Sequence, residues 1–297
     1  MKRIGEYQNG NYTVKIYEDG TKIRENDLDF FESEFPENID IKITNRCNIG
    51  CKMCHECSTP SGENADLLGL SFIDSLHPYT ELAIGGGNVF ENPQFIPFLL
   101  KLKEKKIIAN MTINQIHFEE NYSLVRYLIQ EKLVYGVGVS LAIPSDKFVA
   151  MFKSCGRNMV LHVINGIITQ WQIERYLANH GLKILFLGYK KFGRGSEYWK
   201  THAIDILRNQ DYTKNNMEAL LHSFKVVSFD NLAIEQMEPE RLMTKEQFNE
   251  FYMGDEGQFT MYIDAVKKEF AKNSVSNVRY PITSNIVDMF NTIKRET

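Results

Sequence analysis

An α/β fold organised on a parallel sheet, with an N-terminal β-hairpin ahead of it and an α+β extension behind it, is what this 297-residue sequence predicts. Three observations carry the prediction. Between residues 38 and 190, short runs rich in Val, Ile and Leu alternate with stretches of helical periodicity, and this spacing calls for right-handed crossovers between parallel strands. Counted from the run Ile39-Asp40-Ile41-Lys42-Ile43-Thr44, the alternation gives six β-α units. The apolar fraction of 43% is enough to build the core of one large unit, or of two ordinary domains.

The elements follow in order. Tyr12, Val14 and Ile16 alternate with polar residues and lead through Asp19-Gly20 into Lys22-Ile23-Arg24, a hairpin signal for a cap or edge of the main sheet. The acidic stretch 25–37 reads as a solvated loop or short helix and completes a lead-in segment, residues 1–37. The main domain, residues 38–229, opens with the strand at 39–44. Residues 58–63 have the composition of an exposed connector, and 67–76 have helical spacing. Strand 81–84 runs into Gly85-Gly86-Gly87-Asn88. Helices over 94–105, 121–131, 146–153 and 170–179 then alternate with strands over 107–114, 133–141, 159–165 and 182–188. Lys190-Lys191-Phe192-Gly193-Arg194-Gly195 suits either a crossover loop or a cradle for an anion. Residues 197–222 are helix-like and 225–229 strand-like. In the extension, residues 230–297, the segment 253–264 is hairpin-like, and Ile286, Phe290 and Ile293 share one face of a helix over 285–294.

The chemistry is concentrated in Cys47-Asn48-Ile49-Gly50-Cys51-Lys52-Met53-Cys54, a CxxxCxxC loop directly after the first strand of the main domain. Three thiolates on a tight loop can wrap one face of an iron-sulfur cube, each reaching a different iron, with the fourth iron left without a protein ligand. The motif resembles the cluster-binding loop of the radical S-adenosylmethionine (radical SAM) enzymes. The resemblance covers residues 38–190 and implies a partial (β/α)6 TIM-like barrel with a [4Fe-4S] cluster on Cys47, Cys51 and Cys54. It also implies S-adenosyl-L-methionine at the open iron, a flavodoxin- or ferredoxin-like reductant, and a 5′-deoxyadenosyl radical that abstracts hydrogen from a peptide, protein or nucleotide-like substrate. Met53 stands where the family carries an aromatic residue, and is apolar enough to shield the cluster. The hairpin-like 253–264 resembles the start of the auxiliary-cluster extensions of radical SAM maturases, but no cysteine follows Cys155. The expected hairpin therefore covers the barrel opening without a thiolate-bound metal.

Consecutive glycines at the C-terminal end of a strand let a ligand approach the backbone closely. Placed one unit after the cysteine loop, Gly85, Gly86 and Gly87 resemble the Gly-Gly-Glu motif that holds the cofactor's methionine amino group. Asn88 replaces the glutamate, offering an amide oxygen without charge. In a barrel the functional groups collect at the C-terminal strand ends, which here carry Gly87-Asn88, Asn114, Ser140, Asn165-Gly166 and Gly188-Tyr189. The resemblance puts Ser140 at the cofactor's ribose or carboxylate, Asn165 beside the adenine and Gly188 at the far wall, with Asn114 facing cofactor or substrate. Turn formers cap strands in general, so each of these also reads as a plain cap. His162 reads as a core histidine, Cys155 as a small buried thiol and Cys57 as a loop residue.

A different class of reading keeps the same thiols: a non-catalytic binding module with a structural zinc on Cys47, Cys51, Cys54 and Cys57. Five cysteines in a chain of this size, with no secretory leader read at its start, predict a reducing, cytoplasmic setting. Apolar runs fall well short of the ~18 residues a membrane-spanning helix needs. The formal charge of −4 is spread through mixed-sign segments with no basic stripe, which argues against duplex DNA as a partner.

Overall fold

The structure, a computed structural model, describes residues 2–296. Strands β1 (Arg3–Asn9), β2 (Tyr12–Tyr17) and β3 (Lys22–Glu25) form a small antiparallel sheet. The expected hairpin is the β2–β3 pair; β1 is additional. Its inward positions are Gly5, Tyr7 and Asn9, so the alternation that marks a strand is carried by one apolar residue only. Asn9 is buried as a connector, accepting the N–H groups of Glu34 and Phe35 at 2.8 and 3.1 Å and donating to the Phe35 carbonyl at 3.0 Å.

The main sheet has ten strands in the order β10-β9-β8-β7-β6-β5-β4-β11-β12-β13. They are β4 (Asn38–Thr44), β5 (Glu81–Gly86), β6 (Ile108–Asn114), β7 (Gly136–Ser140), β8 (Met159–Ile164), β9 (Lys183–Leu187), β10 (Val226–Phe229), β11 (Thr260–Asp264), β12 (Glu269–Ala271) and β13 (Tyr280–Pro281). From β10 to β11 every neighbouring pair is parallel, and β12 and β13 finish the sheet antiparallel. The crossovers carry α1 (Phe95–Glu104), α2 (Gln115–Glu120), α3 (Tyr122–Gln130), α4 (Asp146–Cys155) and α5 (Gln170–Gln172), which runs on as a π-helical turn Ile173–Leu177. Then come α6 (Arg194–Asn215), α7 (Met217–Ser223), α8 (Asn231–Met237), α9 (Lys245–Phe251) and α10 (Ile286–Lys294). Ile39, Ile41, Leu82 and Ile84 on one face of the strands bury against Phe95, Phe98, Leu99 and Leu102 of α1, and Cys155 lies in the same core.

The opposite face carries polar residues, among them Asp40 and Lys42 of β4, Asn110, Thr112 and Asn114 of β6 and Ser140 of β7. The loop after β9 reaches the loop after β4, where the Arg194 N–H donates to the Cys54 carbonyl at 3.2 Å. Asp40 on β4 shows what kind of space this makes. It is exposed to solvent, yet burial among surrounding protein, reinforced by Glu256 and Asp230 against Lys190, pushes its carboxyl up to about 6. Protein surrounds the carboxyl while solvent still reaches it and screens its charge.

Two segments depart from expectation, and 225–229 meets it. Residues 67–76 form a single 3-10 turn, Ser71–Ser75, because Leu67, Leu70, Phe72, Ile73 and Leu76 are all buried, and a helix would turn some of them outward. The stretch 225–229 is a further parallel strand beside β9. The hairpin expected to cover the opening instead forms β11 and β12 within the sheet, with Thr260 to Asp264 paired to Asn38 to Lys42. The physical reason is alternation: Met261 and Ile263 join the core with Ile39 and Ile41, while Tyr262 and Asp264 take the other face. The terminal helix is α10, with Ile286, Met289, Phe290 and Ile293 buried.

The small sheet closes the N-terminal ends of the strands. Tyr7, Tyr12, Val14 and Ile16 share a second core with Phe35, Ile108 and Phe259, which lie at the starts of β4, β6 and β11. Below it Glu37, expected in a solvated loop, is buried and receives Arg24 Nε at 2.7 Å, Tyr12 Oη at 2.6 Å and Lys22 Nζ at 3.3 Å. Burial alone would raise this carboxyl, but Lys22 and Arg24 outweigh it and hold Glu37 below its ordinary value. The unfolded chain therefore protonates Glu37 first on acidification. Its stabilising contribution is complete above the ordinary carboxylate range and is lost as pH falls through the lower folded value. Glu37→Leu is expected to cost about 3–5 kcal/mol in urea unfolding at pH 7, because Arg24 is left buried without its partner. A loss under about 1 kcal/mol would show that the network contributes little beyond its packing.

Candidate metal and cofactor site

The loop of residues 45–64 leaves β4 at the C-terminal end of the sheet and is laced shut along its own length. Thr44 bridges to Asn64 and Arg46 to Thr59. The Asn45 N–H donates to Glu63 at 2.8 Å, Cys47 to Thr59 at 2.9 Å, and Thr59 back to Asn45 at 3.0 Å. Gly62 permits this closure, since a Cβ there would come within 2.1 Å of the Asn45 carbonyl oxygen. Gly50, at φ +68°, supplies the left-handed turn between Cys47 and Cys51.

Cys47, Cys51 and Cys54 are partly exposed free thiols on this loop. Burial first, then the neighbouring Cys54 and Cys47, raises the Cys51 thiol, and the Arg194 guanidinium opposes them. Asn114 at the end of β6 places Nδ2 3.9 Å from Cys51 Sγ. Among the described residues no three Cys, His, Asp or Glu side chains converge as one ion requires. Cys57 is exposed, takes φ +53°, and directs Sγ toward the Cys54 carbonyl at 4.0 Å. A cube asks each sulfur for a different iron, so its ligands stand farther apart than those of a tetrahedral ion. Three cysteine sulfurs on one loop are the donor chemistry that such a cube takes.

Charged groups that the sequence did not single out brace the loop. Glu56, two residues beyond Cys54, meets Lys42 Nζ of β4 at 2.6 Å, and the same ammonium lies 3.1 Å from Asp264 at the end of β11. Tyr262 Oη donates to Glu56 at 3.2 Å. Burial would raise Glu56, yet His55 and Lys42 together bring it down to about 2. Burial also lowers His55, which is neutral at pH 7, so Lys42 is the cation that keeps Glu56 ionised there. From the other side the Arg194 guanidinium donates to the Ser58 carbonyl at 3.1 Å. Gly193 lies so close that a Cβ would meet the His55 carbonyl oxygen at 2.4 Å. His117 of α2 holds Asn48 of the loop, Nε2 to Oδ1, at 3.1 Å. One signal for this bracing was present in the sequence: the alternate face of β4 reads Asp40, Lys42, Thr44.

The glycine run sits against the root of the loop. The N–H groups of Gly87 and Asn88 donate to Thr44 and Arg46, both at 2.7 Å. A Cβ on Gly86 (φ +120°) or Gly87 would come within 2.5 or 2.2 Å of those same two carbonyls. Gly85 differs, for a Cβ there would meet nothing nearer than Thr112 at 3.8 Å, and its missing side chain leaves open room. Asn88 is buried, and its Oδ1 caps a short 3-10 turn by accepting the Phe90 N–H at 3.2 Å. The end of this amide that protein leaves unshared is the NH2 donor, where an acceptor was expected.

The other expected residues divide. Ser140 stands opposite Asn114 on one side and His162 on the other in the parallel register. Met53 is half-buried on the loop, its carbonyl beside Gly195. Asn165 is fully buried with both ends of its amide engaged, donating to Gln236 at 3.2 Å and accepting from Thr213 at 2.7 Å. The Gly188 N–H donates to Asp230 at 2.9 Å, and a Cβ there would strike Leu232 of α8. His162 is on the same face as Ser140, not in the apolar core expected for it. Its ring lies over Gly138, where a Cβ would come within 2.2 Å, and burial pushes it down to about 4, leaving it neutral.

No family model matches the sequence, and no curated protein does. Solved structures do match. SuiB of Streptococcus suis bound to the precursor peptide SuiA superposes with a TM-score of 0.60 at 14% identity, over 87% of this chain and 65% of that one. SuiB bound to S-adenosylmethionine gives a TM-score of 0.54 at 14% identity, over 84% and 64% of the two chains. The chain is similar in fold to SuiB. At this identity the likeness concerns the fold, and the chain spans less than two thirds of the length of SuiB.

Proposed function

We propose that the chain is a radical SAM enzyme acting on a peptide or protein segment. The observation that carries this is the laced loop that holds the free thiols Cys47, Cys51 and Cys54 together at the C-terminal end of β4. The fold shared with SuiB, seen with S-adenosylmethionine and with a precursor peptide, supports the reading. When bound, a [4Fe-4S] cluster and S-adenosylmethionine would supply reductive cleavage to a carbon radical able to abstract hydrogen, with the electron from a flavodoxin- or ferredoxin-like donor.

The protein's part is positioning and exclusion of water. Cys47, Cys51 and Cys54 would hold the cluster, with Met53 shielding it. Gly85 would leave room for the cofactor beside β6, and the free NH2 of Asn88 suits a carboxylate oxygen there. Ser140 would face the cofactor at the neighbouring strand end, and Asn165 and Gly188 would fix the backbone of the far wall. A peptide is favoured over a nucleotide by the loop after β9. Arg194 is directed at Ser58, Lys190 Nζ donates to Ser274 at 2.9 Å, and Lys191 Nζ lies 3.4 Å above the Trp199 ring, so these cations are already engaged. No helix among the described residues is long and apolar enough to cross a membrane.

Anaerobically reconstituted protein is expected to be brown with about four irons per chain, and to release 5′-deoxyadenosine from S-adenosylmethionine with dithionite. A colourless protein holding a single zinc, or a full iron complement that releases no 5′-deoxyadenosine, would overturn the proposal.

A further inference from the structure

Asn114 ends β6 and begins α2, and its amide is used at both ends. Oδ1 accepts the Ile116 N–H at 2.9 Å as the cap of α2, and Nδ2 points at Cys51 Sγ from 3.9 Å, within reach of a sulfur acceptor. The cap fixes which end faces the sulfur. A reversed amide would set NH2 against the Ile116 N–H, donor against donor, and α2 would lose its cap. The backbone is fixed as well, since Asn114 pairs with Ser140 in the parallel ladder. Cys51 thus receives a hydrogen bond from a side chain that has no freedom to turn away.

We propose that Asn114 is a tuning residue: its Nδ2–H donates to the Cys51 sulfur and raises the reduction potential of the cluster bound there. This rests on the iron-sulfur reading above and adds a role that the cysteine spacing does not contain. The physical ground is charge. Reduction adds an electron to a cluster whose sulfurs already carry negative charge, and a donor aimed at a ligand sulfur stabilises the reduced form more than the oxidised one.

Two variants separate tuning from folding. Asn114→Ser and Asn114→Asp both keep a residue that caps α2. The serine Oγ sits where the asparagine Cγ was, one bond short of the Nδ2 position, so its O–H does not reach Cys51, and the aspartate puts a carboxylate where the donor was. The measurement is iron content followed by an anaerobic redox titration read by electron paramagnetic resonance. Both variants are expected to bind iron as the parent does and to titrate at more negative potential, Asn114→Asp further than Asn114→Ser. A tenfold fall in the ratio of reduced to oxidised cluster at a fixed potential corresponds to about 59 mV for this one-electron couple. If Asn114→Ser fails to assemble, Asn114→Asp still reports the shift. A parent midpoint retained by an iron-replete variant overturns the inference, as does loss of iron from both variants in a folded chain, which would make Asn114 an assembly residue. A parent chain that binds no iron at all would defeat the iron-sulfur reading itself, a separate result.

Discussion

Cys51→Ala is expected to abolish the cluster, taking iron from about four per chain to background, and with it all 5′-deoxyadenosine release. Cys51 is the most committed of the three thiols: burial and both neighbouring sulfurs act on it, Arg194 opposes them, and Asn114 directs an amide at it. Two remaining thiolates leave one iron of the cube uncovered in addition to the open one, and no other cysteine can step in. Cys57 faces the Cys54 carbonyl, and Cys155 is buried in the core. The loop itself should persist, because it is closed by backbone bonds from Asn45, Cys47 and Thr59 and by Gly62, none of which needs a thiol. Circular dichroism and the urea midpoint should therefore match the parent, within about 1 kcal/mol. Full iron in Cys51→Ala would remove this residue from the ligand set.

The second large effect lies in a residue that touches no sulfur. Lys42→Met is expected to cost about 3–5 kcal/mol of stability, since it leaves the Glu56 and Asp264 carboxylates facing one another in a largely enclosed position. It should also release the residues just beyond Cys54 from β4 and weaken iron binding by roughly 10–100-fold, the range seen when the supports of metal ligands are removed. Adding Glu56→Gln to Lys42→Met should recover part of the stability by deleting one of the two stranded charges, with iron binding still impaired. The pH dependence has a definite sign. Glu56 is held near 2 when folded and titrates in the ordinary carboxylate range when unfolded, so its contribution is complete above that range and disappears as pH falls toward 2. Parent-like iron uptake by Lys42→Met would show that the loop holds its shape without the brace.

The repeating part of the architecture was legible because each strand buries one face under a helix, which writes Ile, Leu and Val at alternate positions from β4 to β9. The cysteine loop stood out because its three thiols fall within the short stretch Cys47 to Cys54, directly after a strand. What escaped was mainly polar residues in buried roles. Gln115 and His117 make the segment after Asn114 look like surface, yet both are buried in α2, Gln115 accepting the N–H groups of Ala142 and Ile143 at 3.0 Å each. Asn9 and Gly5 disguise β1 in the same way. Partner choice between distant strands was the other blind spot. Nothing in Thr260-Met261-Tyr262-Ile263-Asp264 says that its neighbour is β4, nor that Asp264 shares Lys42 with a glutamate from the cysteine loop.

That late pairing has a consequence for biosynthesis. β4 leaves the ribosome before β11, and Asp264 follows Lys42 by 222 positions. Until then the ammonium beside the thiols has only Glu56, and one flank of β4 has no hydrogen-bonding neighbour. Metal loading on a nascent chain would meet a half-braced cradle; a firmly set one requires that β11 has been translated and paired with β4.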